Sequence, residues 1–172
     1  MRALRWGWPA AVVTLICDQA VKLGVMRFFG LSATEIMALA PEVDAFPQGL
    51  SYPLLPVLDL TVTWNRGISY GLFQQDTETG RRVLVCASLV AVLVLAAWMH
   101  RAVRPFVSLS FGLIIGGALG NVIDRAAYGA VFDFAHFHLG DFSWYIFNIA
   151  DAAIVLGAAG LAFDALKPAK KE

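Results

Sequence analysis

The chain has 172 residues, of which 59% are hydrophobic and 15% charged, with 13 basic and 13 acidic side chains giving a formal charge of zero. Soluble domains run at roughly 45–50% apolar and roughly 25% charged residues, so this composition describes a small integral membrane protein of one domain. It excludes a disordered chain, a coiled coil and a secreted disulfide scaffold. Charge neutrality gives no case for nucleic acid, and Cys17 and Cys86 sit inside apolar runs where neither could staple an exposed loop.

Four stretches can cross a bilayer, which takes about 20 mostly apolar residues. The first is Trp8–Arg27, interrupted by Asp18 and Lys22. It follows Arg2 and Arg5 like a leader peptide, but Ile16 is too bulky for cleavage before Cys17, and the two charges break the apolar run. The next segment, 28–82, is extracytoplasmic. Its early part is irregular and proline-rich, with one short helix near Thr34–Leu39, and Leu58–Trp64 reads as a strand. Val83–Met99 is an uncharged span about 26 Å long at 1.5 Å per residue. Phe106–Ile123 is a glycine-rich span suited to close helix packing. Residues 124–141 form the second extracytoplasmic segment, in which Ala130–Leu139 alternates as a strand able to pair with Leu58–Trp64. Phe142–Phe163 is the last span, broken only by Asn148 and Asp151.

The expected fold is therefore an all-α membrane protein of four transmembrane helices, with a small extracytoplasmic β-sheet and a loop and helix lid. Arg2, Arg5, Arg101, Arg104 and the C-terminal lysines put both termini and the short loop at residues 100–105 in the cytoplasm. Trp6, Trp8 and Trp98 then fall at the inner interface, and Trp144 and Tyr145 at the outer one.

The third span closes on Asn121-x-x-Asp124 and the fourth opens with Asn148-x-x-Asp151. In each, Asn and Asp share a helix face, and the antiparallel course of the helices puts the two acids at similar depth under the outer surface. An ionisable side chain in lipid costs about 2.5–3.5 kcal/mol even on a mild scale, so two at one depth imply a shared polar pocket. Carboxylates forced together share a proton, which is what a general acid and base need. Asp124 and Asp151 are thus the candidate catalytic pair, with Asn121, Asn148 and Arg125 available as donors to them. Asp18 and Lys22, one helical turn apart, are expected as an ion pair. Asp133 is expected to bond backbone near the site.

Three competing signals are weaker. Gly67–Gly71 spells Gly-x-Ser-x-Gly but has only His136 and His138 on its side of the membrane to serve as base. The strand carrying His136 and His138 reads as a solvated face, and without a His-Glu-x-x-His pattern no metal is expected. A small proton-coupled carrier or channel component also uses buried acids, yet four spans are few for one.

In chain order, Asp18-x-x-x-Lys22, Trp64–Asn65–Arg66–Gly67, Gly116–Arg125, Val131–Phe132–Asp133–Phe134 and Phe147–Asn148–Ile149–Ala150–Asp151 resemble the motif series of lipoprotein signal peptidase, also called signal peptidase II. The resemblance covers roughly Val13–Gly157. It implies an intramembrane aspartic endopeptidase of the bacterial inner membrane, without cofactor. Such an enzyme removes the signal peptide of a prolipoprotein just before its diacylglyceryl-cysteine. It implies that Asp124 and Asp151 catalyse, and that Asp18, Lys22, Asn65, Gly67, Asn121, Arg125, Asp133 and Asn148 bind substrate or support the site. It further implies a monomer working among phospholipids and inhibited by the cyclic peptide globomycin. The chain departs from the family where Asn65–Tyr70 replaces the usual Asn-x-Gly-x-Ala-Phe, and in a longer, more proline-rich segment before Asn65.

Overall fold

A computed structural model describes residues 4–38, 46–67 and 77–167. In chain order the elements are α1 (Leu4–Phe28), α2 (Ala33–Ala38), β1 (Ser51–Leu55), β2 (Leu58–Asn65), α3 (Glu78–Arg101), α4 (Pro105–Tyr128), β3 (Val131–Leu139), β4 (Phe142–Ser143) and α5 (Ile149–Ala165). Three of the helices are long and apolar enough to cross a membrane, over Trp6–Phe28, α3 and α4. Valines and leucines such as Val90, Leu93, Val155 and Leu156 stand exposed on α3 and α5. Outward-facing apolar surface of this extent belongs against acyl chains, since soluble monomers do not carry it.

The helix α4 is central and packs against α1, α3 and α5. Its small residues permit this: a Cβ on Gly116 would overlap the Ala11 carbonyl of α1, and one on Gly117 the Ala150 carbonyl of α5. In lipid, where apolar burial gives no net drive, such close backbone approach is what holds helices together. Ala11, Val92, Met99, Phe111 and Ile115 fill the middle of the bundle.

The expected span 142–163 is shorter in the structure. Residues 142–148 complete the sheet instead: β4 pairs with β3, and Phe147 bridges to Ala135. The helix α5 starts only after Asn148, which caps it with a reciprocal Asn148–Asp151 capping box. Apolarity alone could not separate Phe142–Phe147 from helix; the local turn and the cap do.

The sheet has four antiparallel strands in the order β1-β2-β3-β4. The expected pairing of β2 with β3 is present, from Leu58↔Phe137 to Asn65↔Val131, with an irregularity between Leu60 and Thr63. The strand β1 was hidden in the sequence by Pro53 and Pro56. As an exposed edge strand it tolerates a residue without an N–H. Val62, Trp64, Phe132 and Phe134 pack with Met26, Ile36 and Tyr128 into a second core, which fixes the sheet on the same end of α1 and α4. Gly129, at φ 84°, ends α4 and turns the chain directly into β3. The expected short helix is α2, over Ala33–Ala38. Both cysteines are free and exposed.

Candidate active site

Of the site residues singled out above, Asp18, Lys22, Asn121, Asp124, Arg125, Asp133 and Asn148 are buried, with Asn65 and Asp151 half-buried beside them. They come from α1, the last two turns of α4, the first residues of β3 and the N-terminus of α5. The turn at Gly129 is what folds β3 back over the end of α4. As a result the Phe132 N–H donates to Asp124 Oδ2 at 3.1 Å.

Asp18 and Lys22 form the expected ion pair at 2.8 Å. Lys22 Nζ also lies 2.8 Å from Asp124 Oδ2. Gln19 Nε2 donates to the other Asp124 oxygen at 3.0 Å and to Asp18 Oδ2 at 3.2 Å. Asp18 Oδ1 accepts the Ala150 N–H at 2.9 Å, which ties α1 to the start of α5. An anionic carboxylate is stabilised at a helix N-terminus. Gln19 was missed by the sequence reading because it is uncharged. The signal lay in spacing, since Gln19 stands three residues before Lys22 on one helix face. Gly120 makes room for this contact, because a Cβ there would overlap the Asp18 carboxylate. Gly120→Val is therefore expected to push α1 from α4. A thermal unfolding scan in detergent should show a lowered midpoint together with at least a tenfold loss of activity; an unchanged midpoint refutes the close fit.

A second carboxylate cluster lies alongside. Asp133 Oδ1 accepts from Asn148 Nδ2 at 2.6 Å and Oδ2 from Asn65 Nδ2 at 3.1 Å. Asp151 Oδ1 accepts from Asn121 Nδ2 at 2.9 Å, and Oδ2 from the Asn148 N–H at 3.3 Å. Asn148 thus touches both acids, and its own Oδ1 accepts the Asp151 N–H at 2.9 Å. Burial, and then the like charge of Asp151, push the Asp133 carboxyl up to about 8. Arg125 donates to the Gly67 carbonyl at 2.5 Å, and the Gly67 N–H donates to Asn65 Oδ1 at 2.9 Å. The chain leaving β2 is therefore held to α4 and, through Asn65, to Asp133.

The expected sharing of a proton between Asp124 and Asp151 meets a different arrangement. Asp124 is paired with a lysine ammonium. The acid whose charge acts against Asp133 is Asp151, and both of these are held by amides. Depth within helices drew attention to Asp124. Asp133 lies outside any span, and its signal was an acid on the apolar Val131–Ala135 face of a strand.

On the sheet, His136 Nε2 lies 2.7 Å from Ser143 Oγ, and His138 Nε2 lies 3.3 Å from Asp59 Oδ1. Ser69 of the Gly-x-Ser-x-Gly match falls outside the described residues.

The family model for signal peptidase (SPase) II matches residues 10–167. The lipoprotein signal peptidase of Methylorubrum extorquens (strain PA1) is 50% identical over 171 residues, covering 99% of this chain and 91% of that protein. That of Methylobacterium radiotolerans is 51% identical over 168 residues, covering 98% and 90%. A bacterial membrane enzyme solved by the in meso method at 2.3 Å shares the fold, with a TM-score of 0.70 at 24% identity, over 95% of this chain and 91% of that one. Such agreement over nearly the whole length disfavours the carrier reading. The chain belongs to the signal peptidase II family: it is an integral membrane peptidase of the aspartic type that removes signal peptides from lipoproteins.

Proposed function

We propose that Asp133 and Asp151 are the catalytic pair, and that they cut a diacylglyceryl-modified prolipoprotein just before its lipidated cysteine. The observation that carries this reading is Asn148, which joins the two carboxylates while neutral amides hold their remaining oxygens. Two acids held this way carry one proton between them. Asp151 lies in the first turn of α5, where the helix N-terminus favours negative charge, so the shared proton resides on Asp133. Asp151 then takes a proton from water as that water attacks the scissile carbonyl. Asp133 donates its hydrogen bond to the carbonyl oxygen, and the proton on Asp151 passes to the departing amine as the C–N bond breaks.

In this reading Asp124 is a support for Lys22. Four helices cross the bacterial inner membrane with α5 as the fourth, both termini lie in the cytoplasm, and the dyad sits near the outer leaflet. A signal peptide enters as an apolar helix and must unwind to expose a carbonyl. The sheet receives the unwound part, and the acyl chains stay among phospholipid at the bundle surface. The protein works as a monomer, and globomycin competes for the same site.

Proteoliposomes holding the purified protein test this. A diacylglyceryl prolipoprotein should release its leader without any ion gradient, globomycin should block release, and the unlipidated precursor should stay intact. Equal cleavage of both precursors overturns the substrate assignment.

A further inference from the structure

Lys22 has three N–H donors, and all three are used: on Asp18 Oδ2 and Asp124 Oδ2 at 2.8 Å each, and on Asn121 Oδ1 at 3.3 Å. An ammonium so saturated and only 2% exposed has nothing left for substrate or water. Two of its bonds neutralise charge; the third falls on a neutral amide, and that amide touches the dyad.

An amide side chain fits its site in two orientations, and its neighbours select one. Asn121 is set between donors and a carboxylate. Its Oδ1 accepts from Lys22 Nζ and, at 3.2 Å, from Asn148 Nδ2. Its Nδ2 donates to Asp151 Oδ1 at 2.9 Å. Asn148 is itself fixed, because its Oδ1 accepts the Asp151 N–H at the α5 cap. The flipped Asn121 would press its NH2 against an ammonium and a second NH2, and its carbonyl against a carboxylate. Lys22 can only donate, so it enforces the orientation in which Asn121 gives a hydrogen to Asp151. By pulling on the Asn121 carbonyl it also strengthens that donated bond.

We propose that Lys22 is a positioning residue for the cleavage reaction: through Asn121 it keeps a hydrogen bond on Asp151 that holds this carboxylate ionised and ready to take a proton from water. The proposal rests on the reading of Asp133 and Asp151 as the dyad. The charged and titratable groups facing the site are Asp18 on α1, Asp124, Arg125 and Tyr128 on α4, Asp133 on β3 and Asp151 on α5. The Arg125 guanidinium lies within electrostatic reach of Asp124, Asp133 and Asp151. A test must therefore separate the hydrogen-bond route from the plain loss of a positive charge.

The pair Lys22→Met with Asp124→Asn does so, because it removes one cation and one anion and leaves the cluster's net charge as it was. In a folded double variant, kcat should fall about 10- to 100-fold, the size of a lost hydrogen bond to a charged group, with KM little changed. The acid-side limb of the kcat/KM profile should move up by about one pH unit. Adding Asn121→Ala should then cost little more, since the route is already broken. A folded double variant with the wild-type kcat and pH profile overturns the proposal, as does a full independent loss from Asn121→Ala. If the first pair unfolds, Lys22→Met with Asp18→Asn is read in the same way. If both unfold, Lys22 only holds the helices together and the proposal fails. Asp133→Asn and Asp151→Asn run beside them: activity in either overturns the dyad itself, whereas dead dyad variants with a normal Lys22 pair overturn the positioning role alone.

Discussion

Asp133→Asn and Asp151→Asn should each lower cleavage of a diacylglyceryl prolipoprotein by at least about 1000-fold, while the protein stays folded at its usual thermal midpoint or above it. An asparagine keeps the shape of the side chain and relieves the crowding of two ionisable carboxyls. The loss therefore falls on the chemistry, where a proton has nowhere to go. Asp124→Asn should behave in the opposite way. Lys22 would keep Asp18 as its one counter-ion, and a buried cation stripped of a partner costs about 3–5 kcal/mol. The midpoint should drop, and the cleavage that remains should follow the folded fraction. A stably folded, dead Asp124→Asn beside an active Asp133→Asn would return catalysis to the pair of helix-borne acids.

That contrast marks where the sequence was legible. Apolar runs with few charges disclosed the bundle, because lipid forces every backbone bond into helices and leaves a strong compositional trace. The strands β2 and β3 were legible from β-branched residues and alternation. The strand β1 was not, since an exposed edge tolerates the Pro53 that argues against a strand. Asn148 was visible as a polar residue in an apolar stretch, but its role as the α5 cap depends on Phe142–Phe147 turning back onto β3. The site's membership was readable one residue at a time, as polar side chains where polarity is expensive. Which acids face each other was not readable, because it depends on the turn at Gly129. That turn lays Phe132 on Asp124 and sends Asp133 forward to Asn148. Gln19 escaped for a related reason: an uncharged amide in a span looks tolerable until Asp124 arrives from another helix.

Stability should fall as pH rises toward about 8 and activity should fall above it, and the stability effect should disappear with Asp133. In the unfolded chain Asp133 titrates at the ordinary carboxyl value of 3.8, and in the folded protein burial and Asp151 hold it up to about 8. Between these values the folded state keeps a proton that the unfolded state has released, so stability decreases with rising pH across that window. Its contribution is fully present below pH 4 and is lost by pH 8, an effect on the order of 5 kcal/mol. Chemical unfolding in detergent at pH 5, 6, 7 and 8 should show a declining midpoint in the wild type and a flatter series in Asp133→Asn. The kcat/KM of the wild type should fall tenfold per pH unit above about 8, as the neutral acid that bonds the scissile carbonyl is lost. A rising stability across pH 5–8, or a kcat/KM still level at pH 9.5, would mean that the proton is not where Asn65, Asn148 and Asp151 hold it.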